Sequence, residues 1–404
     1  MKFWRKLVIF QKHSHLSELS FWMLCVLVVL LSLGQWARIE ISTLVFYPHD
    51  LVIVSWLFIE KIKVLAELKS GVKEIKQNAL LLMSSAWLLL GMAIATFMYH
   101  DLLPWLYLLR ILSYILFLVS AKSLLGNSNQ ILRIFSTVVG TVMVVVGFTQ
   151  YAILPDTRYL LQFGWDEHYY RLIGTLLDPN FTSLILIVTF WGVLSLKKHF
   201  GIKLAYLLSG ILLVGTGLTF SRAGYLALLS SLLVFAFLYT KRAVEISKSI
   251  LITTICCVMI VVIAVLLAPK PGGEGVDLLR TNSIYARFEA SKEFLEVMQP
   301  WQWFVGAGFY TRPASIHSLA SHARVPDNLI VLILFSAGVV GLGLLIKLLK
   351  SHSSQLIRLS PETLAILTAV FVHAQFNNSV LEPFVFLIVG LSLMAENQNK
   401  TKET

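Results

Sequence analysis

Apolar stretches long enough to cross a hydrocarbon core of roughly 30 Å recur twelve times along the chain, separated by short polar segments. They run Leu16–Gly34, Ile41–Glu60, Ala79–Tyr99, Leu102–Ser120, Phe135–Leu154, Leu172–Leu196, Gly201–Gly215, Ser221–Tyr239, Ser249–Ala268, Asp327–Ile346, Pro361–Phe376 and Ser379–Ala395. The seventh and eighth come from one block, Gly201–Thr240, divided at Gly215–Thr216–Gly217 where glycines permit a turn. Only one polar segment is long, Pro269–Pro326, and it carries Arg280, Arg287, Arg312, Arg324, His317 and His322. The pattern predicts an all-α polytopic membrane protein of about 12 transmembrane helices. As one integral membrane domain, it places spans one to nine in 1–268, an external loop in 269–326, spans ten to twelve in 327–396 and a cytoplasmic tail in 397–404. Within the loop, Asn282–Gln299 reads as an interfacial helix. Ile284, Phe288, Leu295 and Met298 recur near helical spacing opposite Arg287, Glu289, Lys292, Glu293 and Glu296, and Pro300 ends the run.

Composition agrees. Hydrophobic residues make up 57% of the 404 positions and charged ones 14%, against roughly 45–50% and 25% in a soluble domain. The three cysteines, Cys25, Cys256 and Cys257, fall inside apolar runs as lipid-facing or core residues. They offer neither a disulfide nor a zinc spacing, and no metal site or cofactor is expected. A net charge of +11 would suggest nucleic acid in a soluble protein, but here the basic residues belong to loops, and no nucleic-acid partner is expected. With the amino terminus inside, inner segments hold 22 basic residues and outer ones ten, so the positive-inside rule puts both termini in the cytoplasm. Residue type separates the two sides further. The inner set is 18 Lys and 4 Arg, whereas the outer set is 2 Lys and 8 Arg: Arg38, Arg158, Arg171, Arg222, Arg280, Arg287, Arg312 and Arg324. Lysine suffices as an orientation charge, while the planar guanidinium grips phosphate or carboxylate at two points. The outer face is therefore suited to an anion, the alternative being arginines that snorkel to headgroups.

Charged side chains within spans are costly and usually functional, and here they gather toward the outer side. Asp50 lies in the outer half of span two, Asp178 and Asn180 near the outer end of span six, Arg222 at the head of span eight, and Asp327–Asn328 at the head of span ten. Span eleven ends outward with His373, and only Arg110 sits near mid-depth, with Tyr107 and Tyr114 on one face of its helix. A site open to one side suits an enzyme met by its substrate at the bilayer surface. A transporter would place ionisable groups at the midplane and both gates, in repeated halves that this chain lacks. For Asp50 and Asp178 taken singly, pairing with Arg110 or helix capping is the competing explanation. Asn377 and Asn378 read as a polar turn, and so does Gly306–Ala307–Gly308.

Three segments together resemble the O-antigen ligase and polymerase superfamily of bacterial inner-membrane glycan transferases. They are RLIGTLLDPNFTSLIL from Arg171, GTGLTFSRAGYLALL from Gly215, and the GAGFY to PDNLIVLILFSAGVVGLGLL arrangement from Gly306 to Leu345. The resemblance implies a type C glycosyltransferase-like helical bundle, a metal-independent inverting transfer, and a saccharide donor carried on undecaprenyl diphosphate. It also implies roles for Arg222 and Arg287 in holding the diphosphate. Asp50, Arg110, Asp178, Asn180, Asn328 and His373 would form a supporting polar cluster. Ligases usually carry His-Asn at the head of the span after the loop. This chain has Asp327–Asn328, so the general base is Asp327 or His322, and the pair leans toward the superfamily's polymerases. The implied acceptor is a lipid-linked saccharide for a polymerase, or lipid A core or another surface acceptor for a ligase. A lipid-linked-oligosaccharide flippase is the reading from another class, and a sensor or scaffold a weaker one.

Overall fold

Seven helices among the described residues are long and apolar enough to cross a membrane, and five shorter apolar helices accompany them. The computed structural model describes residues 17–41, 44–243, 248–271, 275–313, 316 and 324–396; His317 and His322 lie outside the described residues. In chain order, α1 is Glu18–Leu33, followed by a two-stranded antiparallel hairpin, β1 Ile39–Ile41 and β2 Leu44–Phe46. Then come α2 Pro48–Ile59, α3 Lys61–Gln77, α4 Ala79–Tyr99, α5 Leu103–Leu125, α6 Gln130–Ile153 and α7 Pro179–Ser195. The short α8, Lys197–Phe200, leads into α9 Ile202–Leu218, α10 Arg222–Ala243 and α11 Lys248–Leu267. The long polar segment contributes α12 Asn282–Glu296 and α13 Gln302–Val305, and the chain closes with α14 Leu329–Ser351, α15 Ser353–Ile357, α16 Pro361–His373 and α17 Pro383–Met394.

The centre of the bundle is α7, almost wholly buried from Pro179 to Val193, with α6, α9, α10, α16 and α17 packed around it. Lipid tails are as apolar as leucine, so close backbone approach and interhelical hydrogen bonds hold such a bundle together. Gly140 of α6 faces Thr189 of α7 so closely that a Cβ there would lie 1.7 Å from the threonine hydroxyl. Trp191 donates to Ser231 at 3.1 Å and Trp56 to Ser120 at 3.0 Å, both across helices. Proline sets many of the helix starts. Pro48, Pro104, Pro179, Pro361 and Pro383 stand in the first turn of α2, α5, α7, α16 and α17, where the missing N–H costs nothing.

Several expected spans are corrected by these starts. The second stretch, Ile41–Glu60, is helical only from Pro48, where Asp50 accepts from the Tyr47 backbone; its first residues belong to the hairpin. The sixth, from Leu172, becomes helical only at Pro179. At 1.5 Å per residue, α2 and α7 reach about 18 and 26 Å, so irregular backbone sits ahead of each. Such backbone is tolerated at depth only inside protein. Leu172, Ile173, Thr175 and Leu176 are indeed buried. The backbone of Ile173 is met on both sides, Gln150 Oε1 accepting from its N at 3.1 Å and Thr182 donating to its O at 2.6 Å.

The block Gly201–Thr240 breaks at Thr219–Phe220–Ser221 and not at Gly215–Thr216–Gly217. Both glycines remain in α9, where a Cβ on Gly215 would strike Val144 and one on Gly217 would strike Ala264. They serve close packing, and the turn falls to Phe220 at φ 50°. The lysine-rich segment after α2, expected as a loop, is the amphipathic helix α3. In the outer segment, α12 stops at Glu296, ahead of Gln299, and anchors through Phe294, which is fully buried against Phe335 of α14. Ile284 and Phe288, on its expected apolar face, are not covered by protein.

After α12, α13 and Gly306–Gly308 press into α14. There Gly338 adopts φ 64° and ψ −172° and kinks the helix; a Cβ on it would lie 2.3 Å from Phe304 O. Ala307 N donates to Phe335 O at 2.6 Å and Trp87 Nε1 to Ala337 O at 2.8 Å, so carbonyls freed by the kink are met.

Candidate functional site

The turn between α9 and α10 is the keystone of the end of the bundle where the polar residues gather. Phe220 is fully buried at its tip, and its carbonyl accepts from Arg171 at 3.4 Å and from Arg280 at 3.3 Å. Arg171 also donates to Thr219 O at 2.8 Å. Arg222, the first residue of α10, donates to the Arg280 carbonyl, to Leu278 O at 3.4 Å and to the Ser283 hydroxyl at 2.6 Å. Among the described residues, every hydrogen-bond partner of Arg171 and Arg222 is a neutral oxygen. Their charges are positioned and not cancelled. Burial, then repulsion from Arg222 and Arg287, pushes the Arg280 pKa down; burial, then Arg280, does the same to Arg171. An arriving anion would relieve that repulsion.

One turn beyond Ser283 on α12, Arg287 donates to Asn377 Oδ1 at 3.1 Å, and its Nε lies 3.6 Å from Asp327 Oδ2. Burial raises the Asp327 pKa, and Arg287 opposes the rise. Asn328 caps α14, accepting from Ile330 N at 2.9 Å and Val331 N at 3.0 Å, while its amide donates to Gln375 O at 3.0 Å. Asp178 caps α7 through Asn180 N at 2.6 Å and Phe181 N at 3.0 Å. Asn180 Oδ1 accepts from Ser221 at 2.9 Å, which ties α7 to the residue before Arg222. His373, fully buried, bonds Ser379 Oγ through Nδ1 at 2.6 Å. His373 Nε2 and Asn377 Nδ2 are buried with no hydrogen-bond partner among the described residues.

Asp50 and Arg110 stand elsewhere. Asp50 Oδ2 accepts from Arg110 at 3.0 Å and from Tyr47 N at 3.1 Å, and Oδ1 takes the Tyr114 hydroxyl. Arg110 donates also to Val45 O at 2.6 Å. The pair lines a different cavity, against the hairpin. The expected polar cluster is thus two clusters: Asn180, Asn328, His373 and Asp178 lie with Arg222, Arg287 and Asp327, while Asp50 and Arg110 satisfy one another. The competing explanations for Asp50 and Asp178, pairing and capping, describe their geometry.

Beside Arg287 and Asp327 opens a groove of about 870 Å³ between α12 and α14. Ile284, Phe288, Leu295, Met298, Trp303 and Ile330 give it an apolar lining, and Arg287, Lys292, Glu296 and Asp327 its charged one. A long apolar chain carrying an anionic head fits that polarity.

Arg171 and Arg280 stand out in the sequence only as two of eight outer arginines. The available signal was position: Arg171 opens one conspicuous segment, and Arg280 lies two residues before the start of α12.

Residues 204–346 match the family model described as O-Antigen ligase. The matched segment, roughly a third of the chain, holds the Phe220 turn, Arg222, Arg280, Arg287 and Asp327, and it supports the superfamily resemblance carried by the sequence motifs. Neither the curated proteins nor the solved structures yield a match.

Proposed function

We propose that this multi-pass membrane protein is a glycan transferase of cell-surface polysaccharide assembly, acting on the outer side of the bacterial inner membrane with both termini cytoplasmic. Its donor is a saccharide on undecaprenyl diphosphate. The observation that carries this reading is the pair of guanidinium groups at the Phe220 turn, Arg171 and Arg222, held on neutral oxygens beside an apolar groove.

In the reaction, an acceptor hydroxyl oxygen attacks the anomeric carbon as that carbon's bond to the diphosphate oxygen breaks. The electron pair leaves with the diphosphate, where Arg222 and Arg287 meet the growing negative charge. The hydroxyl proton passes to the Asp327 carboxylate, whose position at the head of α14 beside Arg287 suits a base. Outer-facing amino termini of α7, α10, α14 and α17 add their partial positive charge. Configuration inverts, and the arginines stand where other transferases use a metal.

The polymerase reading rests on Asp327–Asn328 standing where ligases carry His-Asn. The family match is equally compatible with a ligase. The central test is Arg222→Ala at equal membrane level: surface-polysaccharide assembly is expected to stop, and chains of normal length would overturn the mechanism. Deletion of the protein then separates the variants of the reading. Single repeat units on their final anchor mark a polymerase, long chains stranded on lipid carrier mark a ligase, and units left on the cytoplasmic face mark a flippase.

A further inference from the structure

A second recess on the outer side has a different chemistry from the arginine cluster. One cavity of about 620 Å³ lies along the hairpin, α2 and α5. A smaller one of about 230 Å³ continues from Arg110 toward Asp178, Asn378 and Glu382. Both are walled by Arg38, Tyr107, Arg110 and Tyr310.

The arginines here are neutralised. Arg110 holds Asp50, Arg38 holds Glu40, and Arg324 holds Asp101. Aromatic rings form much of the wall: Tyr107 and Tyr310 stack with centroids 3.8 Å apart at 8°, and Trp165 lies under the Arg38 guanidinium at 4.8 Å. Asp166 and Asn378 line the smaller cavity with no side-chain hydrogen-bond partner among the described residues. Aromatic rings interleaved with amide and carboxylate acceptors, among them Asp166, Asp178 and Glu382, which form no ion pair among the described residues, suit the CH and OH faces of a neutral sugar and repel an anion.

Chain neighbours and hydrogen bonds tie the recess to the donor arginines. Asp178 on its wall caps the helix whose Asn180 bonds Ser221, the neighbour of Arg222. Asn378 follows Asn377, which bonds Arg287.

We propose that this recess is the acceptor subsite, holding the neutral saccharide whose terminal hydroxyl attacks the donor. The inference rests on the transferase reading, but its test is separate. The probe is the lipid-free oligosaccharide repeat unit released from the host's own surface polysaccharide, titrated by calorimetry onto the full chain in nanodiscs.

Trp165→Leu and Asn378→Ala, both in loops, are expected to weaken binding on the order of tenfold each, with unchanged melting temperature. Arg222→Ala is expected to leave binding within about twofold. Absence of binding to the wild type, unchanged affinity in both recess variants, or loss of binding in Arg222→Ala would each overturn the subsite. Failure of the wild type to move chains from a lipid-linked donor, with oligosaccharide binding intact, would instead overturn the transferase reading and leave a saccharide-binding recess.

Discussion

Arg110 and Arg222 stand in outward-facing helices of one bundle, and their surroundings are built on opposite terms. Arg110 is satisfied by a carboxylate, a carbonyl and nearby tyrosine rings, so its region presents shape and hydrogen bonds but little net field. Arg222 is held by carbonyls and a serine hydroxyl, with Arg280 and Arg287 close enough to repel it. A guanidinium fixed by neutral oxygens keeps its charge available to a ligand, whereas one fixed by a carboxylate has already spent it. Residue type alone does not separate a structural arginine from a working one. For this pair the charge of the partner does; Arg287 stands between the two, with Nε 3.6 Å from the Asp327 carboxylate and Nη2 on the neutral amide oxygen of Asn377.

The sharpest way to break this contrast is to remove each arginine in turn. Arg222→Ala is expected to lower the elongation rate in nanodiscs by roughly 10²–10³ with an unchanged melting temperature. An equal loss on Arg110→Ala, at equal folded protein, would erase the distinction. Next in size is the base. Asp327→Asn is expected to be far more damaging than His322→Gln, and the reverse order moves the role to His322.

The sign of the pH dependence follows from the raised pKa of Asp327. A base must be ionised, so activity should fall on acidification at a pH above the ordinary carboxylate value of roughly 4. Any residual activity of Asp327→Asn should lack that acid limb; a limb that persists there belongs to another group. Smaller still is the effect of Asp50→Ala, which leaves Arg110 without its carboxylate. A loss of about 2 kcal/mol in stability, read as a lower melting temperature in detergent, is expected with activity per folded molecule largely kept. The smallest effect is expected from chelation: none on the elongation rate if the arginines supply the positive charge. Loss in chelator restored by a divalent ion would give that role to a metal.

Much of the outer face was legible because its grammar is local. Asp178–Pro179, Asn328 and Glu382–Pro383 are helix starts that a sequence shows directly, and the same residues read as a polar convergence because capped amino termini of several inward-running helices meet there. Arg222 and Arg287 were singled out by the family resemblance. What stayed hidden depends on contacts between distant segments. Gly215 and Gly217 look like a turn until Val144 and Ala264 are placed against them, and Phe294 looks no different from Phe288 until Phe335 faces it. The partition of polar residues into a charged centre and a neutral recess likewise required knowing that Arg110 meets Asp50 and that Arg280 meets Phe220, pairings 60 residues apart in each case.

The kink at Gly338 bears on how the protein is made. Translation delivers α13 before α14; in the topology proposed above, the wedge has crossed the membrane when the helix that bends around it begins to insert. An insertion machinery that responds to hydropathy meets α14 as an ordinary continuous span, and the bend is imposed only as helix and wedge dock. In that topology the contact of α13 with α14 is expected to form in one late docking event, with Asp327 at the head of the arriving helix. Cysteine cross-linking between the Ala307 and Phe335 positions, whose backbones bond across the contact, during pulse-chase synthesis should report docking after membrane insertion of α14 is complete; simultaneous appearance of the two would remove the late step.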